Sequence, residues 1–97
     1  MQVQIITGDQ ATGKTTRLLA IQAELKENGI EAPILVGERY TTPFFANQIA
    51  QRAMTGAKHF LADDCTLFQI KAARQLEAQG IHSGIPFDFV VHLVRKA

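Results

Sequence analysis

Ninety-seven residues suffice for one domain and are too few for two, and a chain of this size buries about two-thirds of the surface it exposes when unfolded. With 46% apolar and 20% charged residues no segment has the composition of a disordered chain, and a net charge of +1 with dispersed basic residues offers no footprint for nucleic acid. A single cysteine, Cys65, excludes an internal disulfide and a cysteine zinc cluster, and no apolar run approaches the ~20 residues of a membrane span.

The first residues lack the positive start and long apolar stretch of a signal peptide, so residues 1–97 are expected to form one soluble, cytoplasmic domain. Gln2 to Thr7 reads as a strand, with Val3, Ile5 and Ile6 as its β-branched bulk, stopping at Gly8. Lys14 to about Asn28 reads as a helix: Leu18, Ile21 and Leu25 form an apolar stripe, and Gly29 stands where a glycine ends a helix. Pro33 to Gly37 is a short apolar run, the pattern of a strand covered on both faces, ending at Glu38. Thr41 or Thr42 can cap a second helix with Pro43 at its first position and Phe45, Ile49 and Ala53 on one face, before Gly56.

His59 to Ala62 gives a third strand that ends at Asp63-Asp64. Thr66 can cap a third helix with Ile70, Ala73 and Leu76 on its apolar side, closed by Gly80. After the turn Ser83 to Pro86, Phe87 to Val94 is a fourth strand whose nearly continuous apolar residues predict a central place in the sheet. Four strands alternating with three helices predict an α/β domain, a small parallel-sheet αβα sandwich. In such sheets ligands bind at the carboxyl ends of the strands, where Gly8, Glu38, Asp63, Asp64 and the end of the last strand converge.

The segment Gly8-Asp9-Gln10-Ala11-Thr12-Gly13-Lys14-Thr15 joins the first strand to the first helix. A phosphate loop needs glycines where the backbone turns and approaches the ligand, free N–H groups around the phosphate oxygens, and a lysine for the β- and γ-phosphates. Gly8, Gly13 and Lys14 meet these needs, with Thr15 supplying a hydroxyl to Mg²⁺ and Thr16 continuing the contact surface into the helix, whose positive dipole end faces the phosphates. Asp63, at the end of the third strand, stands where a Walker B carboxylate holds the magnesium. For orienting or deprotonating an attacking water, Glu38 and Asp64 compete, with Lys14 acting on the transferred phosphate.

These segments resemble the P-loop NTPases, and within them the RecA-like branch: Val36-Gly37-Glu38-Arg39 is similar to the Gly-Glu-Arg segment of the catalytic subunits of rotary ATP synthases. The resemblance covers about residues 1 to 42 and implies a sheet order 2-3-4-1 with the first strand at an edge, and a glutamate base at Glu38. Those domains are much larger, and their later strands and base pocket have no counterpart here. Asp63-Asp64 and Gly84-Ile85-Pro86 also resemble RecA-like thymidine kinases, in which the acid pair is Asp-Glu; the cysteine pairs of their zinc lobe are absent from this sequence.

The expected activity is Mg²⁺-dependent binding of ATP or GTP with slow hydrolysis; the alternatives are a nucleoside-type small-molecule kinase and a non-catalytic nucleotide switch. His92 is read as a core histidine, and His59 and His82 as surface residues. Arg17, Arg39, Arg52, Arg74 and Arg95 include candidate arginine fingers among which nothing in the sequence selects, and Tyr40 or Phe44 is a candidate for stacking on a base. An edge strand with Val3 and Ile5 poorly covered, and a site with no assigned arginine, predict a homo-oligomer or a larger protein partner.

Overall fold

The computed structural model describes residues 1–6 and 13–96. Strands and helices alternate: β1 (Gln2–Ile6), α1 (Lys14–Glu27), β2 (Ile34–Val36), α2 (Thr42–Met54), β3 (His59–Cys65), α3 (Leu67–Ala78) and β4 (Val90–Arg95), with 3-10 turns at Gly37–Arg39 and Gly80–Ser83. All neighbouring strands run parallel in the order β1-β4-β3-β2, which is the expected order read from the other edge.

Side chains alternate across the sheet with a period of two, and both faces are covered. Val3, Phe60, Ala62, Val91 and Leu93 pack under α2 and α3, against Phe45, Ile49, Ala53 and Ala73. Ile6, Leu61 and Val94 face the other way, onto Leu18 of α1. The helices carry their own stop and start signals. Gly29, at φ 78°, follows the end of α1, where a residue with a Cβ would be strained. The Thr41 hydroxyl accepts from the Phe44 N–H at 3.3 Å, so Thr41 is the cap and Pro43 falls at the second helical position rather than the first. At α3 the Thr66 hydroxyl accepts from the Gln69 N–H while the Gln69 side chain accepts from the Thr66 N–H, a reciprocal capping box.

Four expectations are corrected. β2 is shorter than Pro33 to Gly37 and lies at an edge, with Leu35 buried but Ile34 and Val36 only half-buried, so its α1 face is covered only in part. β3 does not stop at Ala62 but pairs on to Cys65 across an irregularity at Asp63 and Asp64. β4 begins at Val90 rather than Phe87: the Phe89 N–H turns back to the Pro86 carbonyl at 3.1 Å, which leaves Phe87 82% exposed. Val3 is not poorly covered. It is buried beneath α3, and its outward N–H and C=O are capped by Glu77 Oε2 at 2.7 Å and Arg74 Nη1 at 3.3 Å. Burial pushes the Glu77 carboxyl up, but the Val3 N–H and the Arg74 guanidinium outweigh it and hold its pKa below the ordinary value. A paired charge on each exposed ladder group is one way of blunting a sheet edge.

Candidate functional site

Gly8, Asp9, Gln10, Ala11 and Thr12 of the predicted phosphate loop lie outside the described residues. The structure takes up the chain again at Gly13, whose φ of 79° turns it into α1. Gly13 has no side chain with which to cap the helix; its carbonyl accepts the Arg17 N–H at 2.9 Å, and among the described residues no side chain caps the N–H groups of the first turn. They open on a cleft of about 250 Å³. Residues Gly13, Lys14, Thr15 and Thr16 form one wall, Asp63 and Asp64 of β3 another, and Val94 and Arg95 of β4 lie between.

Across this cleft the Thr15 hydroxyl donates to Asp63 Oδ2 at 2.8 Å, a contact between residues 48 apart in sequence. The other oxygen, Asp63 Oδ1, accepts the Asp64 N–H at 2.9 Å. A β-bulge places both carboxylates here. Ala62 pairs with Leu93 and Cys65 with Arg95, so two residues of β3 stand opposite the single residue Val94. Ala62 and Cys65 consequently face the same core, that of α2 and α3. Under strict alternation Asp64 would have shared the Ala62 face and entered that core; the extra residue spares it this. Asp64 takes a left-handed φ of 49°, the only positive φ outside glycine among the described residues. Backbone strain of this kind collects where a side chain must be aimed rather than merely packed.

Glu38 stands at the same edge of the sheet but does not line the cleft. Its carboxylate is paired with Lys96 Nζ at 2.8 Å, and Lys96 is itself fixed by its backbone N–H to the Cys65 carbonyl at 2.8 Å. The hydrogen bond from Lys96, together with its charge, holds the Glu38 carboxyl below the usual range. The turn that carries Glu38 is clamped by the buried amide of Gln69, which donates to the carbonyls of Gly37 at 2.6 Å and Tyr40 at 3.0 Å. Gly37 is buried there, and a Cβ on it would lie 2.6 Å from Gln69 Oε1 and 3.0 Å from the Cys65 Cα.

The remaining chemically active residues lie apart. His92 is buried as expected, but His59 is only half-exposed, because its Nδ1 meets His92 Nε2 at 3.1 Å. The ring centroids are 5.4 Å apart with planes at 17°; a nitrogen separation so much shorter than the centroid distance means an edge-to-edge hydrogen bond rather than face-to-face stacking. Burial raises the Cys65 thiol to about 12, which makes it an inert core group. Tyr40 and Phe44 stack on each other, centroids 5.5 Å apart. Arg95, Lys96 and Gln69 went unselected in the sequence. The signal for Arg95 was available in the topology, since β4 separates β1 from β3 and must end between the end of β1 and the carboxylates on β3. Gln69 carried none beyond its place in the capping box.

Comparison of the chain with protein-family models, with curated proteins and with solved structures finds no match. Among the described residues no helix is long and apolar enough to cross a membrane, and no three His, Cys, Asp or Glu residues are grouped as a metal cage.

Proposed function

We propose that this cleft binds a nucleoside triphosphate, ATP or GTP, with Mg²⁺, and that the protein hydrolyses it slowly. The observation that carries the reading is the Thr15–Asp63 contact beside Lys14. Mg²⁺ is held by few protein oxygens and keeps its remaining positions for water and phosphate, so a hydroxyl and a carboxylate at hydrogen-bond distance are a fitting donor pair. Bound there, the ion would neutralise charge developing on the phosphates. Lys14 and the first-turn N–H groups of α1, uncapped by any described side chain, are suited to the phosphate oxygens, and Gly8 to Thr12 precede them in the sequence. The strand order agrees with what the RecA-like resemblance implies.

Of the two carboxylates considered for the attacking water, Asp64 is the better supported. It lines the cleft, and among the described residues its side chain makes no hydrogen bond or ion pair, whereas Glu38 would first have to leave Lys96. An aspartate in the same cleft as the proposed metal ligands is suited to orienting water and accepting its proton.

Replacing Lys14 by Ala tests the reading. Lys14 belongs to neither core cluster, so the variant is expected to fold normally while the rise in thermal stability given by MgATP or MgGTP disappears. A folded variant that keeps the full nucleotide response would overturn the assignment. Single-turnover measurements with labelled ATP then read the outcome directly as phosphate release, transfer to an added nucleoside, or neither.

A further inference from the structure

Resting on the nucleotide reading above, we infer that Arg95 is the cation directed at the terminal phosphate, so that the site draws its arginine from its own chain. Of the five arginines the sequence leaves open, Arg95 is the one that lines the cleft. Arg52 lies in the last turn of α2, at the opposite end of that helix from the carboxyl edge, and Arg74 is held on β1 by Glu77 and the Val3 carbonyl. Topology supplies the geometric reason. β4 runs between β1 and β3, so its carboxyl end stands between the end of β1 and the bulge that carries Asp63 and Asp64. A triphosphate held by Lys14 beside the Thr15–Asp63 pair would occupy the cleft that Val94 and Arg95 at the end of β4 also line.

The charges around it are already apportioned. Lys96 is taken by Glu38, and Asp63 by Thr15 and the Asp64 N–H. Among the described residues Lys14 and Arg95 are the two cations of the cleft, and neither side chain has a hydrogen-bond or ion-pair partner there. A guanidinium offers a planar fork of donors to phosphate oxygens, which suits a terminal phosphoryl group whose charge is spread over three equatorial oxygens during transfer, while the electron pair of the breaking bond passes to the leaving oxygen. On this inference one chain completes the site, and the arginine need not come from a partner.

The experiment compares three variants, Arg95→Ala, Arg95→Lys and Lys14→Ala, with the wild type. Arg95 is exposed and outside both core clusters, so Arg95→Ala is expected to fold normally and to keep its MgADP response, while single-turnover consumption of labelled ATP falls by on the order of 10³-fold. Arg95→Lys, which retains the charge without the fork, should fall between the two. Wild-type turnover per chain should not change with protein concentration, and mixing Arg95→Ala with Lys14→Ala should restore nothing, because no single chain then holds both cations. Recovery of activity in the mixture would place the arginine in trans and overturn the inference, as would Arg95→Ala turning over like the wild type. A wild type that fails to respond to MgATP or MgGTP at all removes the nucleotide reading and this inference with it, a result distinct from both.

Discussion

Asp63 has both carboxylate oxygens committed inside the chain, one to the Thr15 hydroxyl and one to the Asp64 N–H. The second bond is local and orients the side chain; the first reaches to another element and sets the separation of the two proposed metal ligands. Substituting Asn keeps the shape and an oxygen that can still accept from Thr15, but removes the charge. Asp63→Asn is therefore expected to lose ~10–100-fold in Mg²⁺-supported nucleotide affinity and far less in metal-free affinity. Titrations with Mg²⁺ and with a chelator check this. Equal losses in both would assign Asp63 to holding the bulge rather than to the ion.

At the scale of elements, the turn after β2 explains Gly37 without recourse to catalysis. The glycine is buried where the 3-10 turn crosses β3, and a Cβ would press on the backbone at Cys65 and Asp64 as well as on Gln69. Side-chain atoms can yield, but backbone of a central strand yields little, so Gly37→Ala is expected to cost about 1–3 kcal/mol. Chemical denaturation measures it; a variant as stable as the wild type would show that the turn is not held tightly. Gln69 sits at the centre of this contact. Its amide satisfies the Gly37 and Tyr40 carbonyls and the Thr66 N–H, joining the end of β2 to the start of α3 over the end of β3. The sequence carried the helix cap at Thr66, a cap at Thr41 or Thr42, the break at Gly29 and the interior place of β4, because each depends on neighbouring residues or on an apolar run. It did not carry the bulge at Asp63-Asp64, which arises from the mismatch of two strands distant in sequence, nor the capping of Val3 by Glu77 and Arg74, which needs the docked position of α3. The Thr15–Asp63 pair was legible as two separate expectations and became a contact only through the parallel order of the strands.

Across the whole molecule the two faces of the sheet are unequally covered, by two helices on one side and by α1 alone on the other. The α1 face accommodates a polar pair in the middle of the sheet. His59 and His92 are diagonal neighbours on β3 and β4, two residues out of register, and share the face of Leu61 and Val94. His92 Nδ1 is buried without a hydrogen-bond partner. A bare acceptor nitrogen costs less to leave unpaired than a buried N–H, which favours the neutral tautomer that donates Nε2–H to His59. Burial, with the His59 charge adding to it, lowers the His92 pKa from 6.5 to about 4. The unfolded chain thus binds the proton more readily than the native one, and stability must fall as the pH drops from about 6.5 toward 4, levelling off below that range. For a side chain 6% exposed the loss amounts to at most about 3 kcal/mol. Urea unfolding at a series of pH values from 7.5 to 4 should show the decline, and His92→Leu, which cannot take up the proton, should flatten it over the same interval. An undiminished decline in a folded His92→Leu variant would move the acid sensitivity to other groups and leave the histidine pair without a part in it.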